Sequence, residues 1–126
     1  MTIAIVGAGA FGTALAICYA KSKQDVLLVG RNAERTKAIS KSRFNPKLPA
    51  TKLPDAIECT SNLSAISLAS TVLFATPMQS LSSVAREAKD FFEGDAVVAC
   101  CKGLNLATLT GPTSILSSNF EGANVA

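Results

Sequence analysis

Ile3-Ala4-Ile5-Val6-Gly7-Ala8-Gly9-Ala10-Phe11-Gly12-Thr13-Ala14-Leu15-Ala16 is the stretch that decides the fold. An apolar run of strand type enters a G-x-G-x-x-G turn, and the turn enters an Ala-rich run of helical type, which is the order a dinucleotide site requires. Each glycine has its own task. Gly7 permits the tight turn off the strand, Gly9 lets the backbone come close to a pyrophosphate, and Gly12 lets the helix lie on the sheet with no Cβ between them. The first amides of a helix have no partner inside it and sit at the positive end of its dipole. Ala10 and Phe11 therefore join the three glycines as expected pyrophosphate contacts. The competing reading of the motif is a Gly-rich turn with no ligand.

Outward from this turn the apolar pattern repeats in a β-α rhythm. Strands are predicted at Thr2 to Val6, Val26 to Val29, Ala56 to Thr60, Thr71 to Ala75 and Ala96 to Cys101. Helical segments are predicted near Gly12 to Lys21, Ala33 to Ser40, Leu63 to Leu68, Gln79 to Lys89 and Leu104 to Leu109. Asn32 and Asn62 read as N-caps, and Pro112 as the first residue of a helix after Gly111. Strand runs that are apolar without alternation suit a sheet covered on both faces. The fold class is therefore α/β, a Rossmann-like, doubly wound and mainly parallel sheet filling residues 1–126 as one domain.

Composition removes several function classes. With 48% apolar and 17% charged residues the chain is not a disordered one. No apolar run reaches the roughly 18 residues that span a bilayer, so no membrane partner is expected and the location is expected to be cytoplasmic. A net charge of +3, with lysines and arginines scattered except from Lys37 to Lys52, gives no nucleic-acid footprint; that basic segment favours a phosphorylated ligand instead. Cys18, Cys59, Cys100 and Cys101 have no C-x-x-C spacing, and the chain has no histidine, so no metal site or histidine-based catalysis is expected within it.

The second strand ends Val29-Gly30-Arg31-Asn32, where an NAD-specific site places a carboxylate for the ribose 2′-hydroxyl. Arg31 offers a guanidinium there, suited to a 2′-phosphate or to stacking on adenine, so NADP(H) is favoured over NAD(H). The plainer reading of Arg31 is a solvated side chain at a strand end.

Three further segments extend the pattern: Asn45-Pro46-Lys47-Leu48-Pro49 with Leu53-Pro54, Ala75-Thr76-Pro77-Met78-Gln79, and Lys102-Gly103-Leu104. Together with the glycine turn they resemble the NAD(P)-dependent glycerol-3-phosphate dehydrogenases of bacterial type, whose opening G-A-G-x-[FWY]-G-T-A-L-A is met at Gly7 to Ala16. The tyrosine of that family's N-x-x-Y-L-P segment is missing here. The resemblance implies an oxidoreductase that interconverts dihydroxyacetone phosphate and sn-glycerol 3-phosphate with NADPH or NADH for phospholipid synthesis. It also implies that Phe11 and Pro77 lie near the cofactor and that Lys102 stands beside both nicotinamide and substrate as the catalytic and substrate-binding residue. A cation at a strand end next to a glycine suits an alkoxide or a phosphorylated substrate, although Lys-Gly by itself is more often a surface turn.

The resemblance further implies a helical second domain beyond Ala126 that carries the general base, with a homodimer as the full-length state. The 126 residues are thus expected to be a truncated protein that binds cofactor without turnover. Two other functions share the opening motif: a different NADP-dependent keto- or hydroxy-acid reductase, and a non-catalytic nucleotide-sensing module that has no need of Lys102.

Overall fold

The computed structural model describes residues 1–126. Strands β1 (Thr2–Val6), β2 (Asp25–Val29), β5 (Ile57–Thr60), β6 (Thr71–Phe74), β7 (Ala96–Ala99) and β8 (Asn124–Val125) form one sheet in the order β5-β2-β1-β6-β7-β8, every pair parallel. A separate two-stranded antiparallel hairpin, β3 (Phe44–Asn45) and β4 (Leu48–Lys52), lies outside it. Setting the hairpin aside, the order is that of a doubly wound dinucleotide-binding sheet, and it reverses between β1 and β6. Ligands of such sheets bind in the crevice at the carboxyl ends of the two strands flanking the reversal.

The strands lack alternation because both faces are core. Ile3, Ile5, Val26, Leu28 and Leu73 pack with Ala16, Ile17 and Ala20 of helix α1 (Ala10–Lys21) and Ile39 of α2 (Ala33–Ser42). Their neighbours Ala4, Val6, Leu27, Val29, Val72 and Phe74 pack on the other face with Leu81 and Ala85 of α3 (Met78–Ala88) and Ile115 and Leu116 of α4 (Pro112–Asn119). The Phe120 ring extends this second core, tilted against Phe74 at 5.6 Å and edge-on to Phe92 at 5.9 Å.

Both predicted caps are present: the Asn32 side chain accepts from Arg35 N at 2.9 Å, and that of Asn62 from Ser64 N at 3.1 Å. Pro112 begins α4 after Gly111, as its fixed φ favours. The segment behind Asn62 (Leu63–Leu68) is a 3-10 helix.

The helix predicted at Leu104 to Leu109 does not form. The Asn105 side-chain oxygen accepts from Ala107 N (3.0 Å) and Thr108 N (3.1 Å), and Leu109 takes a left-handed φ of 56°. This local side-chain turn competes with helix formation and prevails, leaving Leu104, Leu106 and Leu109 exposed. The hairpin is the opposite case, strands in a segment that the sequence pattern leaves as a basic loop. No helix is long and apolar enough to cross a membrane.

Candidate functional site

A cleft of about 1040 Å³ opens where the sheet order reverses, and its lining includes the whole glycine turn from Gly7 to Gly12. Gly7 leaves β1 with φ 120°, and its N–H continues the sheet ladder by donating to Val29 O at 2.9 Å. A Cβ there would lie 2.5 Å from the Ala75 carbonyl oxygen, so the residue is glycine for conformation and for space alike. At Gly12 a Cβ would clash with the Gly7 carbonyl oxygen. Gly9 differs, since a Cβ added to it would meet nothing within 4 Å. The open space at Gly9 is on the cleft side of the turn, where a ligand backbone can come close.

Gly9 is the N-cap of α1 and supplies no capping side chain. Its carbonyl accepts from Thr13 N at 3.0 Å, while the amides of Ala10, Phe11 and Gly12 have no backbone or side-chain acceptor. Three unpartnered donors at the positive end of a helix form an anion site. Phe11, 58% exposed, adds an aromatic face beside them.

The charged side chains lining the cleft are Arg31, Arg35, Lys47 and Glu87, three cations against one anion, so the cleft favours a negatively charged ligand. Arg31 follows β2 after Gly30, and no carboxylate occupies that strand end. Arg35 stands one helical turn further on. The sequence reading missed it, although its place in the first turn after the Asn32 cap at this strand end carries the signal.

On the other side of the reversal, Ala75 N continues the ladder to Val6 O at 2.8 Å, and Thr76 and Pro77 line the cleft before Met78 opens α3. Thr76 Oγ1 is buried without a hydrogen-bond partner. A buried hydroxyl in that state beside a cleft is a ready contact for a bound polar group, and it too was missed from sequence. Cys100 also lines the cleft; burial pushes its thiol up from the ordinary 9.0, and the neighbouring Cys101 adds to the rise, so it is no thiolate nucleophile at neutral pH.

Lys102 is exposed and lies in the loop after β7, outside the residues that line the cleft. Gly103 next to it has φ 105°. This loop is tied to α3 by Gln79, whose Nε2 donates to Leu104 O (2.8 Å) and whose Oε1 accepts from Leu106 N (3.0 Å). Pro77 and Lys102 thus belong to two loops joined by one side chain. Every expected cofactor residue other than Lys102 lies on the cleft.

The β3–β4 hairpin forms a third wall, contributing Phe44, Asn45, Pro46 and Lys47. Asn45, only 1% exposed, ties it to the glycine turn by donating from Nδ2 to Ala8 O (3.0 Å) and Thr13 Oγ1 (2.7 Å).

Comparison with known proteins agrees with this geometry. The solved glycerol-3-phosphate dehydrogenase of Coxiella burnetii superposes with a TM-score of 0.87 at 22% identity, over 98% of this chain and 38% of that one. A ketopantoate reductase from Ralstonia eutropha superposes at 0.77 with 23% identity, over 99% of this chain and 40% of that one, so the fold is shared beyond one activity. The glycerol-3-phosphate dehydrogenase [NAD(P)+] of Paracoccus denitrificans is 43% identical over 126 residues, all of this chain but 38% of that protein. The chain therefore spans well under half the length of such relatives. The family model described as "NAD-dependent glycerol-3-phosphate dehydrogenase N-terminus" matches residues 2–126, and the chain belongs to that family.

Proposed function

We propose that this domain is the cofactor-binding part of an NAD(P)-dependent oxidoreductase that interconverts dihydroxyacetone phosphate and sn-glycerol 3-phosphate, supplying phospholipid synthesis in the cytoplasm. The observation that carries the reading is the row of unpartnered amides at Ala10, Phe11 and Gly12, opening onto a cleft with open space at Gly9. Family membership and the relatives' names support the choice of reaction.

The residues present fit a dinucleotide. Gly7, Gly9, Ala10, Phe11 and Gly12 hold the pyrophosphate, Arg31 with Arg35 the adenosine end and a 2′-phosphate, and Thr76 and Pro77 the nicotinamide end. When bound, the nicotinamide group carries the hydride exchanged with the substrate carbon. The protein's task is alignment and charge. The free helix-start amides are fixed before binding, so they stabilise the diphosphate without reorganising. Lys102, in the loop that follows β7, the strand next to β6, brings a cation to the same end of the sheet, where it holds the substrate phosphate or a developing alkoxide. The remaining substrate contacts and the general base belong to a second domain, and the full-length enzyme is a homodimer.

Calorimetric titration of the 126-residue chain tests the reading. NADPH is expected to bind more tightly than NADH, and Arg31→Ala to remove most of that difference. Failure of the folded chain to bind either cofactor refutes the assignment. Steady-state reduction of dihydroxyacetone phosphate by this chain alone would overturn the role given to the second domain.

A further inference from the structure

Asn45 is buried, and its side chain makes three hydrogen bonds. Nδ2 donates to Ala8 O and to Thr13 Oγ1, and Oδ1 accepts from Lys47 N at 3.0 Å. A buried amide with its partners in place holds them firmly, because releasing any one leaves a desolvated polar group.

The Ala8 carbonyl belongs to the same planar peptide unit as the Gly9 N–H. No peptide bond in the chain is cis, so that carbonyl and that N–H project from opposite edges of one rigid plate. Fixing the Ala8 oxygen on Asn45 therefore fixes where the Gly9 N–H points, away from Asn45. That N–H has no acceptor in the protein, and Gly9 lines the cleft. The second Nδ2 proton holds Thr13 in the first turns of α1, which sets the helix start relative to the same plate.

Resting on the cofactor-site reading above, we infer that Asn45 is a positioning residue for diphosphate recognition: from the hairpin, outside the G-x-G-x-x-G motif, it presets the Gly9 amide and the start of α1 for the anion. It touches the turn rather than the ligand, and it acts by removing the reorganisation that binding would otherwise require.

The test compares the wild-type chain with Asn45→Asp, which keeps the shape but cannot donate to Ala8, and Asn45→Ser, which is short of both partners. Each is titrated with NADPH, with ADP and with adenosine 2′-phosphate; the last carries the Arg31-facing phosphate and no diphosphate. Both variants are expected to weaken NADPH and ADP by about tenfold, the worth of a lost buried hydrogen bond, and to leave adenosine 2′-phosphate within about twofold. In the ligand-free proteins the Gly9 amide resonance is expected to shift while circular dichroism stays that of the wild type. Equal weakening of all three ligands, unchanged affinities, or unfolding of both variants overturns the inference in favour of a merely structural Asn45. A wild-type chain that is folded yet binds neither NADPH nor ADP refutes the cofactor-site reading itself, and the inference falls with it.

Discussion

Gly12 sits so close to Gly7 that the methyl group of an alanine at position 12 would clash with the Gly7 carbonyl oxygen, with the Ala75 Cβ only 3.3 Å from that methyl. Helix α1, strand β1 and the end of β6 meet at this contact, and the glycine motif is as much a packing joint as the proposed ligand loop.

Gly12→Ala is accordingly expected to destabilise the domain by about 1–3 kcal/mol, the usual range for forcing a methyl into a filled site. Gly9→Ala should cost about 1 kcal/mol or less, since its methyl meets no protein atom and only the N-cap preference changes. Affinity is expected to behave differently, because the Gly9 methyl enters the space a pyrophosphate needs. Urea melts and NADPH titrations of the two variants separate the roles: one mainly unstable, the other stable and defective in binding.

Arg31 and Arg35 predict a cofactor preference that can be removed in steps. A charge-assisted hydrogen bond is worth about 1.5–3 kcal/mol, so Arg31→Ala should raise the Kd for NADPH by about tenfold or more and leave that for NADH nearly unchanged. Arg35→Ala should act in the same direction, and more salt should weaken NADPH more than NADH. Equal losses for both cofactors would remove the 2′-phosphate from the account of this strand end.

For Lys102 the expected signature is kinetic. In an enzyme that carries this domain together with its substrate domain, Lys102→Ala should lower kcat far more than it weakens NADPH binding, and in the 126-residue chain it should leave cofactor affinity almost unchanged. Its exposed place outside the cleft lining is the basis for the second half of that expectation. Parallel losses of kcat and cofactor affinity would assign Lys102 to holding the cofactor instead.

Burial holds the thiols of Cys59, Cys100 and Cys101 above the ordinary 9.0, partly offset by the Arg43 charge at Cys59 and by a backbone hydrogen bond at Cys101. Groups whose protons are held more tightly when folded contribute stability that is complete below the unfolded-state value and is lost as pH rises through the folded-state one. Urea midpoints should therefore show no pH dependence from these thiols near neutrality and a decline above 9.0. A variant with the three cysteines replaced by alanine should show a shallower decline over the same range; an identical decline would mean that other groups are responsible.

The doubly wound sheet was legible because its information is local. Runs such as Val26-Leu27-Leu28-Val29 read as strands covered on both faces, and Asn32 and Asn62 cap the helical segments behind them, as their side chains suggest. The hairpin was illegible because Pro46 and Pro49 argue against strands, and its anchoring through Asn45 reaches Ala8 and Thr13, far away in sequence. At Leu104 to Leu109 the spacing of leucines suggested a helix, whereas Asn105 bonded the backbone just after it and turned the chain. The glycine turn, Arg31 and Pro77 could be read from motifs. The orphaned Thr76 hydroxyl could not, because its lack of a partner is a property of the fold and not of any spacing.

Apolar residues on both faces of β1 have a cost in information. A strand with one wet face is held in register by its own alternation, since a shift of one residue would expose the oily side. Ile3, Ala4, Ile5 and Val6 give no such warning, because both of their faces are inside. What marks their place is the strand's end, where Gly7 abuts the Ala75 carbonyl and Val6 stands opposite Phe74. The turn proposed to receive the ligand is also the zero mark from which the middle of the sheet is counted, so an insertion or deletion in β1 should misalign the strands and that loop by the same step.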